Sequence, residues 1–550
     1  MTELLEMEPI VKKRAEWLPH LTSEIVADAR GPEFGAYTIA LEGWRRGLTL
    51  KWHAKDSEYF KEMKTWSVDK PGKLFSLSLG DRTHYFFRTR GDKVTNEAVE
   101  IGADKAETKV RLMEAGISIP EGKSFKEEIS DKEIINYAVN LGFPVVVKPI
   151  DGSYGRGVIS NIQDKQEFKE ALVHVRNELH YKDVLVERFI PGDEYRIYVV
   201  GDKVAGAIKR IPAHVIGNGV NTVRTLIGFK NKERVQNPRL ISCLINIDQR
   251  MEDFIRKQGY TLDSILKPGE HLYLNQISNI SKGGDPIGVT EELTDRIKNI
   301  AVQALHCIPG LTHGAVDLII DNTNKNNAVV LELNPTAQIG GLLFPVEGKA
   351  SDIPSAIIDY YFPETKGAMF SNKSKLYFDF MDVLYPLNNR TAKVTTVTPI
   401  PKGEIYAKKY IVKGNVQNIG YHRGLRKQAF ERKLNGFLRN LQNGDIEVIV
   451  AGTDPAMVDD FENGLWEDPE RSDVTKVVKE DWNEPVKVGF EIKVHHLKQE
   501  SELKKLREEM ELLQLDLNKA ERRYQNYKQS LSWKISWPIR VIGKLTKKIR

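Results

Sequence analysis

The stretch Val145-Val-Val-Lys-Pro-Ile-Asp-Gly-Ser-Tyr-Gly-Arg-Gly-Val158 decides the reading of this chain. Val145 to Val147 form a short β-branched run, which reads as a strand. Lys148 puts a cation at the strand end, and Gly152, Gly155 and Gly157 follow at once. Glycines let a backbone approach closely and aim N–H groups at an anion, so the stretch reads as a loop that holds phosphates. It is neither a Walker A loop nor a GxGxxG dinucleotide turn.

Its weight comes from what lies downstream. In Asp183-Val-Leu-Val-Glu-Arg-Phe-Ile-Pro-Gly-Asp-Glu-Tyr-Arg196 a short apolar strand leads to Glu187, and Glu194 follows seven residues later. A third piece runs from Lys209-Arg210 to Val223, and a fourth is Asn279-Ile-Ser-Lys-Gly-Gly284. The fifth pairs Gly314–Ile320, which carries Asp317, with Val330–Pro335, which carries Glu332 and Asn334. Side chains alternate along a strand, so Glu332 and Asn334 share a face. Two carboxylates and an amide oxygen make a hard, oxygen-only set that suits Mg²⁺ bridging nucleotide phosphates, with Mn²⁺ as an alternative ion.

Together these motifs resemble the ATP-grasp fold, and most closely the ATP-grasp module of the cyanophycin synthetases and their relatives. The likeness runs from about Glu97 to Glu364. It begins with Ile101-Gly-Ala-Asp-Lys-Ala-Glu-Thr-Lys109 and Gly116-Ile-Ser-Ile-Pro-Glu-Gly122, and ends with Phe344-Pro-Val-Glu-Gly-Lys349. The resemblance implies an ATP-dependent carboxylate–amine ligase: ATP phosphorylates a carboxylate, and an amine attacks the acyl phosphate to give an amide and phosphate. By the same resemblance Lys105 and Lys148 contact the phosphates, and the loop residues Gly152, Ser153, Tyr154, Gly155 and Gly157 cap them. Glu187, followed by Phe189 and Ile190, sits at the adenine, and Glu194 at the ribose hydroxyls. Asp317, Glu332 and Asn334 hold Mg²⁺. Arg210 and the loop residues Asn279, Ser281, Gly283 and Gly284 steady the acyl phosphate. Phosphoryl transfer needs in-line positioning and charge neutralisation more than covalent help, which such a set supplies.

The pattern departs from its relatives on the acceptor side. Asn275 stands where a basic residue is usual, Lys282 where a small hydroxyl residue is common, and Thr336-Ala337 where a glycine-containing segment follows the metal-binding strand. The nucleotide side is intact, and the substrate side is altered.

A chain of 550 residues is long enough for several domains and a large core. With 41% hydrophobic and 29% charged residues it has an ordinary globular composition. Cys243 and Cys307 are far apart and form no CxxC, which excludes a disulfide framework and a zinc site and fits a reducing cytoplasm. The acidic start Met1–Glu8 lacks the apolar core of a signal peptide, and no run of 18 apolar residues occurs. The net charge of +5 is concentrated at the C-terminus: residues 532–550 hold six basic residues and no acid. A nucleic-acid binder would spread basic surface over a folded face, so nucleic acid is not an expected partner.

The expected class is α/β (α+β), in six parts. Residues 1–100 form a small domain before the ATP-grasp fold, with a hairpin of Leu74–Leu79 and His84–Thr89 across Gly80-Asp81, read as the structural base of a lid. Residues 101–365 form the ATP-grasp domain, in which His180, His214 and His313 read as structural histidines. Residues 366–400 read as a linker with an exposed strand at 394–399.

Residues 401–494 give the order βαββαβ of a ferredoxin-like unit, with Val486–Val494 as the closing strand. The loop after Val416-Gln417 and the element order resemble acylphosphatase. In that family a loop arginine binds phosphate and an asparagine orients water. Here His422 takes the arginine's place, Arg423 lies one residue on, Asn418 replaces the loop glycine, and Asn440 matches the asparagine. Two readings stand: a degenerate anion-binding or docking module, or a hydrolase that discards wrong acyl phosphates.

Residues 495–531 carry apolar residues at alternating steps of three and four: Leu503, Leu506, Met510, Leu513, Leu517, Ala520, Tyr524, Tyr527 and Leu531. That is a coiled-coil seam, which points to a homodimer, or else one helix packed on its own body. Residues 532–550 intersperse Trp533 and Trp537 with cations, which suits an anionic membrane surface, or a docking tail for a partner. The expected function is amide-bond formation between a small-molecule or polymer-linked carboxylate and an amine, on a bacterial envelope or capsule building block, by a protein peripheral to the inner membrane face. The alternatives are a soluble dipeptide or γ-glutamyl-type ligase, and a non-catalytic nucleotide-binding scaffold.

Overall fold

The computed structural model describes residues 15–150, 157–367, 375–417, 419–466 and 472–493. The glycine-rich loop 151–156, the coiled-coil seam and the basic tail lie outside them. The chain divides into two units, one of residues up to Ile405 with Asn483–Val488, the other of Tyr406–Trp482 with the chain from Gly489 on.

The first unit opens on α1 (Glu33–Arg45), a helix apolar nearly all round, with Phe34, Tyr37, Ile39, Leu41 and Trp44 buried. Such a helix must be covered on every side. One cover is an antiparallel sheet of β1 (Thr49–His53), β2 (Leu74–Leu79), β3 (Arg82–Phe87) and β4 (Arg90–Gly91). Leu79 opposes Arg82 across Gly80-Asp81, the hairpin expected from the sequence. The strand Val394–Thr396 completes this sheet beside β1. The stretch 366–400 is thus more than a connection, because its apolar residues have a partner: the helix Phe380–Asn388 buries Phe380, Leu384 and Leu387.

Two helices follow, α2 (Asn96–Ala103) and α3 (Lys105–Glu114). The Asp104 carboxylate caps α3 by accepting from Ala106 and Glu107 N–H groups. A four-stranded sheet comes next, built from β5 (Gly122–Phe125), α4 (Asp131–Leu141), β6 (Val145–Pro149), β7 (Ile159–Ile162), α5 (Lys165–Val173) and β8 (Val184–Arg188). Its strand order is β5-β8-β6-β7. Val145, Val147, Val184 and Val186 point inward onto Phe168, Ala138 and Ile134 of the two helices.

A five-stranded antiparallel sheet carries most of the chemistry. It contains β9 (Asp193–Val200), β10 (Lys203–Ile211), β11 (Asp285–Gly288), β12 (His313–Ile320) and β13 (Ala328–Asn334), in the order β11-β10-β9-β12-β13. Between β10 and β11 lies α6 (Val223–Val235), and before β12 the helix α7 (Asp295–His306) buries Ile297, Ala301, Ala304 and Leu305 against Val316, Leu318 and Val330. One face of the sheet is therefore core, and alternation leaves the other for polar residues. His313 is fully buried between the Tyr198 and Tyr361 hydroxyls at 3.2 Å each, a structural histidine as read.

The second unit runs β14 (Tyr406–Asn415), α8 (Ile419–Glu431), β15 (Asn435–Asn440), β16 (Ile446–Gly452), α9 (Pro455–Gly464), β17 (Asp473–Asp481) and β18 (Phe490–Lys493). The sheet order is β17-β14-β16-β15-β18. This corrects one sequence reading. The fourth strand of the βαββαβ order is β17, antiparallel to β14, whereas β18 is a fifth strand, parallel to β15. Residues 473–481, Asp-Val-Thr-Lys-Val-Val-Lys-Glu-Asp, mix charged and β-branched residues on an edge without a period-two apolar pattern to reveal a strand.

Candidate active site

On the four-stranded sheet, Lys148 of β6 and Glu187 of β8 come together. Lys148 Nζ lies 2.5 Å from one Glu187 carboxylate oxygen, and Lys109 of α3 lies 2.8 Å from the other. Glu187 is 3% exposed. Burial works to raise its carboxyl, but the two lysines outweigh that and hold it below the usual range. Lys105 Nζ donates to the Ile150 carbonyl at 2.9 Å, at the mouth of the glycine-rich loop. Phe189 and Ile190 are half-buried just past β8, and the Phe189 N–H bonds to the Pro144 carbonyl. Gly157, with φ +77°, returns the chain from the loop onto Pro149. Lys109 is a site residue that the motif reading passed over, although it closes the quoted run Ile101–Lys109.

On the five-stranded sheet, register alone assembles a charged row across four strands. Glu194 of β9 faces Arg210 of β10, Arg196 faces Asp317 of β12, and Asp317 faces Glu332 of β13. Arg196 holds both Asp317 oxygens, and Arg210 reaches the Asp317 carboxylate at 3.0 Å and also pairs with Glu194. Ser278 donates to the second Glu194 oxygen. Asn334 Nδ2 lies 3.2 Å from Glu332 and 3.4 Å from Asp317. The expected set Asp317, Glu332 and Asn334 is thus gathered, and Glu194 stands with it through Arg210. Arg196 was not anticipated: it ends a quoted motif, but only pairing of β9 with β12 puts it on Asp317.

Burial would raise the Asp317 carboxyl, yet Arg196 and Arg210 hold it well below the usual carboxylate range. The Glu332 carboxyl is raised, first by burial and then by Asp317 beside it. Two adjacent acids of which one resists ionisation mark a place where added positive charge would be stabilised. Among the described residues no group of three or more His, Cys, Asp and Glu gathers as metal ligands. A cation here would lean on two carboxylates, the Asn334 oxygen and oxygens of its own ligand, a donor set that fits Mg²⁺.

The Asn279–Gly284 loop feeds directly into β11, whose Pro286 pairs with Arg210. Gly283 has φ +93°, and the Gly284 N–H closes the turn on the Asn279 carbonyl at 3.1 Å. Ser281 and Lys282 are exposed on it. Arg234 of α6 braces the loop, donating to Asp285 at 2.6 Å and to the Cys243 carbonyl at 2.8 Å. Asp285 also accepts Lys230 at 2.6 Å. The Arg210 Nε is buried with no hydrogen-bond partner. A guanidinium N–H left open beside a glycine-containing loop can receive an oxyanion.

In the second unit, His422 is buried on α8 and lies within reach of Asn440 on β15, while Arg423 is exposed. One helical residue turns a side chain by about 100°, which separates the two. Burial lowers the His422 imidazole, so it is not a fixed cation.

Two stretches of the chain match known protein families. Residues 102–215 match the RimK-like ATP-grasp domain, and residues 408–492 match the acylphosphatase family. The cyanophycin synthetase of Geminocystis herdmanii is 30% identical over 307 residues, 54% of this chain and 35% of that protein. The glutathione biosynthesis bifunctional protein GshAB of Listeria innocua is 32% identical over 302 residues, 54% of this chain and 39% of that protein. The chain thus spans well under half the length of these relatives. A bifunctional glutathione synthetase from Pasteurella multocida, solved by crystallography, is 28% identical over 53% of this chain and 41% of its own, with a TM-score of 0.40.

Proposed function

We propose that this chain, which carries an ATP-grasp domain and an acylphosphatase-like domain, is an ADP-forming carboxylate–amine ligase. The observation that carries the reading is the row Arg210–Glu194–Arg196–Asp317–Glu332–Asn334 on one sheet face, with the open Arg210 Nε at its end. Lys105 and Lys148 hold the ATP phosphates. A divalent cation bound by Asp317, Glu332 and Asn334, Mg²⁺ with Mn²⁺ as an alternative, would neutralise charge on those phosphates.

A carboxylate oxygen takes the γ-phosphoryl group and ADP leaves. An amine nitrogen then attacks the acyl carbon, the C–O bond to phosphate breaks, and the amine gives up a proton. Arg210 and the N–H groups of the Asn279–Gly284 loop bind the oxyanion that develops. Arg196 keeps Asp317 ionised and oriented. Relatives named for cyanophycin synthesis and glutathione biosynthesis support a biosynthetic ligase. The cationic tail 532–550 supports action at an anionic membrane face on an envelope or capsule precursor, and the seam 503–531 a homodimer.

The test is ATP turnover against pairs of carboxylates and amines, reading ADP, phosphate and product mass. ADP formed only when both are present, with a product one water lighter than its parts, is the expected result. AMP and pyrophosphate would overturn the acyl-phosphate route. Glu332→Gln should lower turnover on the order of a hundredfold or more. A chain lacking residues 532–550 should leave anionic vesicles yet keep turnover, and unchanged vesicle binding would remove the membrane role.

A further inference from the structure

Ser278 stands just before the Asn279–Gly284 loop and is 4% exposed. A buried hydroxyl needs an acceptor for its proton. Serine ordinarily finds one on backbone close by in sequence. This one reaches across 84 residues to a carboxylate, donating to the Glu194 oxygen that Arg210 does not hold. A hydroxyl on a carboxylate makes a charge-assisted bond, stronger than a neutral one.

The loop is closed tightly behind Ser278. The Lys282 and Gly284 N–H groups both bond to the Asn279 carbonyl, at 2.9 and 3.1 Å. A side chain at position 284 would come within 2.5 Å of the Ser278 carbonyl and 3.0 Å of the Ile211 carbonyl. Only glycine lets the end of the loop lie against its start, and Ile211 follows Arg210 on β10. Ser278 therefore touches the loop through its backbone and Glu194 through its side chain.

Glu194 needs that second hold. Arg210 also reaches Asp317 at 3.0 Å, so its pull is divided between two carboxylates. A carboxylate offers about four lone-pair positions, and Arg210 and Ser278 leave about two of them. The Glu194 side chain is 29% exposed, so hydroxyl groups of a ligand can reach those positions. The adjacent 2′ and 3′ hydroxyls of a ribose, the ligand expected for Glu194, match a two-acceptor head held at a fixed angle.

We propose that Ser278 is a positioning residue that couples recognition of the nucleotide ribose by Glu194 to the loop that binds the transferred phosphoryl group. The proposal rests on the ligase reading for its nucleotide, and is measurable without turnover. A ribose bound to Glu194 steadies the carboxylate, the carboxylate steadies Ser278, and the loop N–H groups are then in place before the acceptor arrives. An empty ribose site leaves the loop less ordered, so phosphate binding is weak until nucleotide is seated. By linkage the two ligands strengthen each other equally.

The experiment titrates the full chain, with Mg²⁺, by calorimetry with ADP and with 2′,3′-dideoxy-ADP. Wild type should bind ADP about tenfold more tightly than the dideoxy nucleotide. In Ser278→Ala that preference should fall to near one, through loss of ADP affinity with dideoxy-ADP affinity unchanged. A merely structural role would weaken both nucleotides alike. Ser281→Ala, a change of the exposed serine on the same loop, should keep the preference. Inorganic phosphate, standing in for the acyl phosphate, should bind wild type about fivefold more tightly with ADP present than with dideoxy-ADP, and Ser278→Ala equally with either. Equal binding of the two nucleotides by wild type, a preference kept in Ser278→Ala, or one lost in Ser281→Ala as well would overturn the proposal. Failure of the ligase reading looks different: ribose preference and phosphate coupling would persist while no carboxylate–amine pair yields an amide.

Discussion

Arg196 grips Asp317 with both arms of its guanidinium, Nε to Oδ1 and Nη2 to Oδ2, each at 2.8 Å. Asp317 is 1% exposed, so this fork replaces water as the partner of a buried charge. Replacing Arg196 by methionine leaves that charge on Arg210 alone. Stability should fall by about 3–5 kcal/mol, the usual cost of removing one partner from a buried pair. Arg196→Lys keeps the charge but not the fork, and should recover only part of the loss. Urea unfolding of the three proteins measures both.

Glu187 sits between Lys148 and Lys109. In Glu187→Gln two neighbouring lysines lose their shared counter-charge, and about 2–4 kcal/mol of stability should go with it. The sign of the pH effect follows from the lowered carboxyl. Its contribution is complete above the unfolded value, near 4.5, and is lost as pH falls through the lower folded value. Wild type should therefore lose stability faster than Glu187→Gln in that acid window, and thermal melts from pH 6 down to about 3 test it.

Burial pushes the His313 imidazole down to about 3, with Arg90 and Lys93 adding to the effect. Between its ordinary 6.5 and that value the unfolded chain binds a proton that the folded chain refuses. Stability should therefore fall as pH drops through this range, by up to about 1.4 kcal/mol per pH unit from this one group. His313→Gln, which can still bond to both tyrosines, should flatten the slope while costing about 1–3 kcal/mol at neutral pH. Parallel slopes for the two proteins would refute the assignment.

His422 is buried and inclined to neutrality where the resemblance to acylphosphatase implies a phosphate-binding arginine, and Arg423 is exposed. The second unit should therefore hydrolyse benzoyl phosphate no faster than buffer. His422→Arg, beside Asn440, restores a permanent cation and should raise hydrolysis measurably. Hydrolysis by the wild-type chain that is lost in Asn440→Ala would show instead that histidine suffices.

Local patterns determined much of this protein. The β-branched run at 145–147, the apolar run at 184–186, the glycine turn at Gly80 and the alternation in 330–334 are set by nearest-neighbour geometry, so strands, hairpin and the shared face of Glu332 and Asn334 were readable in the chain. Order and spacing of the motifs identified the fold for the same reason. Only the tertiary structure decided who meets whom across strands. The bidentate hold of Arg196 on Asp317 depends on the register of β9 with β12, and the Lys109–Glu187 pair joins α3 to a strand far along the chain. The edge strand β17 was hidden because its charged residues face water and carry no core signal. The open Arg210 Nε could not be singled out by sequence either, since a missing hydrogen-bond partner is a property of three-dimensional surroundings decided by residues far away along the chain.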